Sequence, residues 1–306
     1  MQEDNKAIHY SVMGTEFLAG FADVQLKVFF DGTLGLGGHA EMLLEAHPEI
    51  ERYIGCDRDV EALKKAGKRL EKWKDKLVLV HGGFADLAAH LEEIGIERID
   101  GAFFDLGVSS MQLDTAEKGF SFMRDGPLDM RMDKSQELTA ASVVNTYSRE
   151  ALEQILWEYG EERHSRGIVD SIVRARANKK IERTLELAEI IVGGRGRGKI
   201  HPATQTFQAL RIEVNDELGQ VKRGVESAID KLTAGGVIGV ITFHSLEDRI
   251  VKELFRTLSY RSSEEKKKDV VANLSLINKK PWVPTPAECR KNKRSRSAKM
   301  RFAKKN

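Results

Sequence analysis

The decapeptide Asp31-Gly32-Thr33-Leu34-Gly35-Leu36-Gly37-Gly38-His39-Ala40 follows directly on the apolar run Val28-Phe29-Phe30, and no other segment constrains the fold as strongly. A strand ending at Phe30, a turn crowded with glycines and a helix over residues 41–46 place backbone N–H groups where no Cβ obstructs a ligand. Such a loop suits a nucleotide-type cofactor. Gly35-x-Gly37-x-x-Ala40 also satisfies the dinucleotide fingerprint with alanine last, so the loop alone leaves open a nicotinamide enzyme and a turn without a ligand.

The chain of 306 residues predicts one large domain with an insertion, or a second small domain. Hydrophobic residues make up 41% of it, yet no run approaches the ~20 apolar residues that span a bilayer, so a soluble protein without a membrane partner is expected. The polar, acidic start Met1-Gln2-Glu3-Asp4-Asn5-Lys6 has neither a secretory nor an organellar character, which predicts a cytoplasmic location. Cys56 and Cys289 lack CxxC spacing, and His39 and His201 lack ligand spacing, so neither a disulfide framework nor a structural metal is expected. The net charge of +2 hides an asymmetry: residues 290–306 carry nine Lys and Arg and no acid. A basic tail on an acidic body points to a polyanion such as nucleic acid, with a solvated disordered tail as the alternative.

Strand and helix alternate after the loop, with strands at residues 53–57, 77–80 and 99–105 and helices at 59–73 and 84–94. This pattern indicates βαβ units and a parallel sheet that binds ligands at the carboxyl ends of its strands. The alternation stops near Ser110 and resumes at the buried-strand run of residues 236–242. Helical spacing at 150–159, 161–178 and 185–192 marks residues 111–214 as an α-helical insertion, with a flexible basic loop at 193–198. The sheet domain is then discontinuous, 1–110 with 215–306. Pro202 opens a further helix whose apolar stripe Phe207, Leu210, Val214 and Leu218 is expected to pack on the sheet. Residues 261–280 read as a polar surface excursion.

Asp57 closes the second strand, 22 positions after Gly35, where an acid accepts hydrogen bonds from a ribose diol. Nicotinamide dinucleotide and S-adenosylmethionine both carry an adenosine, so Asp57 does not separate them. The fourth strand's exit, FFDLGVSS at 103–110, presents Asp105 where the sheet opens; there a carboxylate orients an acceptor or caps a turn. Phe243 and His244 leave the late strand at the same rim, an aromatic suited to stacking on an extruded base or to core packing, and a histidine placed to bond the next helix.

Eight separated strings stand in one order: DGTLGLGGH at 31–39, GCDRD at 55–59, FFDLGVSS at 103–110, GPLDMRMD at 126–133, YGEER at 159–163, HPATQTFQALRIEVNDEL at 201–218, FHSLEDRIVK at 243–252 and RSRSAKMR at 294–301. Through them the chain resembles the small-subunit (16S) rRNA cytosine-N4 methyltransferases, the MraW/RsmH family, over nearly its whole length. The resemblance implies an α/β, Rossmann-like class I S-adenosylmethionine-dependent methyltransferase sheet with an inserted α-helical domain that helps recognise RNA. The implied reaction moves the methyl group of S-adenosylmethionine to N4 of a decoding-centre cytosine (cytosine-1402 in the family) of 16S rRNA in the small ribosomal subunit. The implied cofactor contacts are Gly37, Gly38, His39, Asp57, Phe84, Asp105 and Gln112, with Asp105 as the catalytic candidate. A homodimer is left open. Three strings depart from the family pattern: in the string at 9–16, Ser11 stands for a proline and Met13 and Gly14 for two leucines, Gln205 stands for an arginine and Lys293 for a proline. They leave the cofactor strings intact and alter strings expected to face RNA.

Chemistry also favours an amine target. Methylation of a pyrimidine carbon needs a cysteine nucleophile, and neither cysteine lies in a motif where a base would sit. A cytosine amine needs an acceptor for its N–H and alignment of nitrogen with the methyl carbon, a role that suits Asp105. A nicotinamide dehydrogenase and a non-catalytic RNA-binding assembly factor are the competing classes.

Overall fold

The computed structural model describes residues 11–107, 113, 115–195, 201–260 and 271–306. Gln112 and the rest of the strand exit beyond Gly107, as far as residue 112, lie outside the described residues, as do residues 196–200 of the basic loop. The chain divides into two compact units, Met1–Gly107 with Gly219–Asn306, and Val108–Leu218.

The first unit opens with α1 (Gly14–Phe21), β1 (Val28–Asp31), α2 (Gly38–Ala46), β2 (Arg52–Asp57), α3 (Val60–Arg69), β3 (Leu77–His81), α4 (Leu87–Glu93) and β4 (Ile99–Asp105). The second carries α5 (Ala140–Thr146), α6 (Arg149–Glu158), α7 (Ser165–Asn178), α8 (Thr184–Arg195) and α9 (Ala203–Asn215). After α10 (Glu217–Lys231), whose first turn holds the boundary, come β5 (Leu232–Thr242), α11 (Ser245–Ser259), β6 (Leu274–Leu276), α12 (Pro286–Lys291) and β7 (Lys299–Lys305). No helix among the described residues is long and apolar enough to cross a membrane.

The seven strands run in the order β3-β2-β1-β4-β5-β7-β6. Pairs from β3 through β5 are parallel, and β7 lies antiparallel between β5 and β6. This is the mixed α/β sheet, parallel but for β7, that the family resemblance implies. The chain reverses its direction of travel across the sheet between β1 and β4, so the crevice at their carboxyl ends is the topological switch point. Buried residues cover both faces: Phe17, Phe21, Leu43 and Tyr53 with Phe302 on one, and Leu87, Val221, Val225, Val251 and Phe255 on the other. Val221, Val225 and Ala228 recur at helical spacing along α10, which is why that helix lies flat on the sheet.

The second unit has its own core. Leu152, Ile155, Leu156, Ile168, Val169, Ile172, Leu187 and Ile191 are buried together. Phe207, Leu210 and Val214 of α9 belong to this cluster, so the stripe expected on the sheet packs within the helical unit instead. The GPLDMRMD string is pinned by polar contacts: Asn215 Nδ2 donates to the Met130 carbonyl at 2.8 Å, its Oδ1 accepts the Met132 N–H at 2.8 Å, and Arg131 clasps Asp129 at 2.7 and 2.9 Å.

Other expectations are corrected in detail. The helix expected from residue 161 starts at Ser165, because Glu161 adopts φ +50° and the buried Glu162 accepts the His164 N–H at 2.8 Å. Residues 193–195 of the expected basic loop form the last turn of α8. The excursion at 261–280 contains the edge strand β6, and residues 261–270 lie outside the described residues.

The largest correction concerns the alternative of a disordered tail. Residues 286–305 form α12, a 3-10 turn over Lys293–Ser297 and β7, in which Met300, Arg301, Phe302 and Ala303 are buried. Arg301 is accommodated because Asp248 of α11 accepts its Nε at 2.7 Å and Lys299 Nζ at 3.1 Å. Removing one member of a nearly buried ion pair strands the other. Asp248→Ala is therefore expected to cost about 3 kcal/mol in urea denaturation at neutral pH; a loss within the ordinary surface range, below about 0.5 kcal/mol, would show that the pair does not hold β7.

Candidate active site

Three carboxylates stand at the carboxyl ends of adjacent parallel strands: Asp31 on β1, Asp57 on β2 and Asp105 on β4. The glycine loop is laced between the strands that carry them. The Gly32 N–H donates to the Phe103 carbonyl of β4 at 2.9 Å and the Leu34 N–H to the Cys56 carbonyl of β2 at 3.0 Å. Gly35 and Gly37 then take left-handed φ values of +54° and +77°, which side chains rarely adopt. Gly37 is the residue that caps α2.

Asp57 latches this loop. Its Oδ2 accepts the Gly35 N–H at 2.8 Å and its Oδ1 the Asp59 N–H at 2.8 Å, while Asp59 in turn caps α3. Each carboxylate oxygen keeps capacity for a further donor. A Cβ on Gly35 would meet nothing nearer than the Thr33 carbonyl at 3.8 Å, so the floor of the loop is open. Ser11, the first departure from the family strings, has its hydroxyl where a Cβ on Gly38 would need to be, so it touches the glycine loop. Gln205 donates to the Glu161 carbonyl at 3.1 Å within the helical unit, and Lys293 is exposed.

Asp31 is 1% exposed; its Oδ1 accepts the Thr33 N–H at 3.0 Å and its Oδ2 the Tyr53 hydroxyl at 2.8 Å. Burial outweighs those bonds and pushes its carboxyl up to about 7. Thr33 continues the chain of contacts by accepting the Asp105 N–H on its Oγ1 at 2.6 Å. Asp31, Thr33 and Tyr53 thus support the site, although only Asp31's position as the last residue of a buried strand run hinted at this in the sequence.

Asp105 is the carboxyl left uncommitted. Its Oδ1 is buried without a hydrogen-bond partner among the described residues, and its Oδ2 lies 3.6 Å from His39 Nδ1, beyond hydrogen-bond distance. Burial, followed by the charges of Asp31 and Glu247, pushes it up to about 8. His39 Nε2 sits 2.9 Å from the Val12 carbonyl, which can only accept, so that nitrogen carries the hydrogen and Nδ1 is the atom turned toward Asp105. Phe17 and Phe103 hold the ring edge-on, with centroids 4.8 and 4.9 Å away.

The β5 exit closes the rim. The Phe243 and His244 N–H groups donate to Glu247 Oε2 at 2.8 and 3.2 Å, and His244 caps α11. Phe243 packs beside Gly107, where a Cβ would lie 3.3 Å from its ring. Phe84, at the β3 exit, has its ring 5.3 Å from that of Phe104. Gly37, Gly38, His39, Asp57 and Asp105 therefore converge on the switch point, with Phe84 one strand beyond. Cys56 is buried, donates to the Gly82 carbonyl at 3.2 Å, and has its thiol pushed far up by burial and by the charges of Asp57, Asp31 and Asp86. It is no nucleophile.

An acid raised from its ordinary 3.8 to about 8 keeps its proton longer folded than unfolded, so its contribution to stability is full at acid pH. That contribution is lost as pH rises from about 4 to about 8. Asp105→Asn is expected to flatten the decline by up to about 1.4 kcal/mol per pH unit, measured by urea denaturation across that range. Parallel profiles for the two proteins would mean that Asp105 is ionised throughout.

The open glycine floor, the Asp57 latch and the unpartnered Asp105 oxygen fit a nucleoside cofactor bearing hydroxyl and amino donors. A family model described as the MraW methylase family matches residues 6–306. Proteins named ribosomal RNA small subunit methyltransferase H are similar throughout: that of Persephonella marina is 46% identical over 300 residues, covering 97% of this chain and 98% of its own. Those of Pelobacter propionicus and Geobacter sulfurreducens are each 47% identical, over 307 and 306 residues, with the same coverage. The chain belongs to the MraW methylase family and is a methyltransferase that uses S-adenosylmethionine.

Proposed function

We propose that this protein methylates N4 of a decoding-centre cytosine, cytosine-1402 of 16S rRNA, in the small ribosomal subunit in the cytoplasm. The names of its relatives support ribosomal RNA as the substrate, and a family match across residues 6–306 leaves the nicotinamide reading without support. The observation that carries the choice of nitrogen is the pairing of a free Asp105 oxygen with a withdrawn Cys56 thiol. A ring carbon would need a thiolate to activate the base, whereas an amine needs only an acceptor.

Bound S-adenosylmethionine supplies an electrophilic methyl group. In this reading Gly37, Gly38 and His39 line its seat, Asp57 accepts from the ribose diol, Phe84 and Gln112 border it, and Asp105 faces the reacting centre. The lone pair of a cytosine amine is delocalised into the ring, so the enzyme must turn it toward the methyl carbon. Asp105 Oδ1 accepts the N4–H hydrogen bond and takes that proton as positive charge develops on nitrogen. Its carboxyl at about 8 lies close to the operating pH, where a base combines adequate ionisation with proton affinity. Phe243 offers a face for the extruded base. In the helical unit, the exposed Arg163, Arg166 and Arg174 supply cations suited to phosphate contacts, which supports an RNA-recognition role for that unit.

Labelled methyl transfer to unmodified small-subunit particles, with digestion and mass spectrometry, should yield N4-methylcytidine. Binding to particles without transfer would favour the assembly-factor class. Asp105→Ala should lower the single-turnover rate on the order of 10²–10⁴, and a near-normal rate would remove Asp105 from catalysis. For Asp57→Ala, calorimetry with S-adenosylhomocysteine should show binding weaker by about 1.5–3 kcal/mol; an unchanged dissociation constant would reject the ribose contact.

A further inference from the structure

The turn Gly82-Gly83 joins β3 to Phe84 and is tied to Asp57 twice over. Asp57 pairs with His81 across β2 and β3, and the Gly82 N–H donates to the Asp57 carbonyl at 3.1 Å. A nucleoside whose ribose rests on Asp57 therefore carries its base toward this turn, since neighbouring strands are only about 4.8 Å apart.

Two helices press on the turn. His90 of α4 places Nε2 3.0 Å from the Gly83 carbonyl. From α10, Gln220 brings Oε1 to 2.8 Å from where a Cβ on Gly83 would be, with Asp86 Oδ2 at 3.7 Å from the same point. Gly224, one turn further along α10, is packed so closely on Phe84 that a Cβ there would overlap the ring. Residues four apart share a helix face, so the Gly224–Phe84 contact sets the height at which Gln220 stands over Gly83.

Gln220 Oε1 is buried and has no hydrogen-bond partner among the described residues. An amide oxygen withdrawn from water without a donor is destabilising, and a missing ligand is one reason to keep it there. The apolar contacts of α10 do not require an amide at this position.

We propose that Gln220 reads the purine edge of the cofactor, its Oε1 accepting a hydrogen bond from the adenine N6 amino group. The inference rests on the S-adenosylmethionine reading and assigns that site a residue outside its recognised strings. Asp86, exposed and near the same point, offers a second acceptor for the same amino group. Hypoxanthine would instead present a carbonyl oxygen to Gln220 Oε1, acceptor against acceptor, and a site built to receive a donor rejects such an analogue.

The test compares S-adenosylhomocysteine with S-inosylhomocysteine by calorimetry on the full chain. The wild-type protein should favour adenine by at least about tenfold. Gln220→Met keeps the length of the side chain and removes the acceptor, so it should narrow that ratio by about tenfold, while Gln220→Glu keeps an acceptor and should preserve it. Should Gln220→Met fail to fold, as judged by its melting transition, Gln220→Leu serves as the acceptor-free variant. An unchanged ratio in a folded acceptor-free variant overturns the inference and leaves the cofactor reading standing. A wild-type protein that binds neither thioether overturns both.

Discussion

The hydrogen bond from the Gly35 N–H to Asp57 Oδ2, 2.8 Å long, joins the loop after β1 to the end of β2, and the site's geometry follows from where it holds the chain. Gly35 is in a left-handed conformation inside a turn closed by the Gly37 N–H donating to the Leu34 carbonyl at 2.8 Å; with the carboxylate anchoring that turn, Gly37 can cap α2 and the helix can present His39 inward. His39 is then caught between Val12, Phe17 and Phe103 and turns one ring nitrogen toward Asp105. A contact at one strand end thus settles the surroundings of a carboxyl two strands away.

The arrangement is costly. Asp31, Asp57 and Asp105 gather three acids at the carboxyl ends of interior strands, and all three have their carboxyls raised, with desolvation as the largest cause. Asp31 recovers part of this through Tyr53 and Thr33, and Asp57 through two backbone N–H groups. Asp105 recovers least, because its Oδ1 has no donor. Raised carboxyls gathered at a switch point are the pattern on which the proposed cofactor site rests.

Much of this was legible in the residues themselves. The apolar run, the glycines after it and an acid 22 positions on describe local geometry, and local geometry survives folding largely unchanged; the same holds for Asp105 at the end of FFD. What the residues concealed were facts of long-range partnership. Lys299–Lys305 reads as a charge run, and nothing near it announces that Asp248, 53 residues earlier, neutralises Arg301 inside the protein. The stripe on α9 is amphipathic whichever surface it meets, and its periodicity could not say that the helical unit's own core would claim it. Gln220 looked like an ordinary polar helix residue, because its burial depends on a glycine one turn away meeting Phe84.

The antiparallel insertion of β7 between β5 and β6 bears on how this sheet is assembled. Strands β1 to β5 pair in parallel through short-range crossovers, apart from the passage through the helical unit, and they leave the outer edge of β5 with a bare row of N–H and C=O groups. Among the described residues, 299–304 satisfy that row, and β6 joins the sheet through its pairing with β7. An open apolar strand edge is the condition under which edges pair with the wrong chain, and in the folded sheet β7 covers it. Lys299 and Arg301 bring cations to that covering strand and Asp248 takes up their charge, so the strand that closes the edge is itself held from α11.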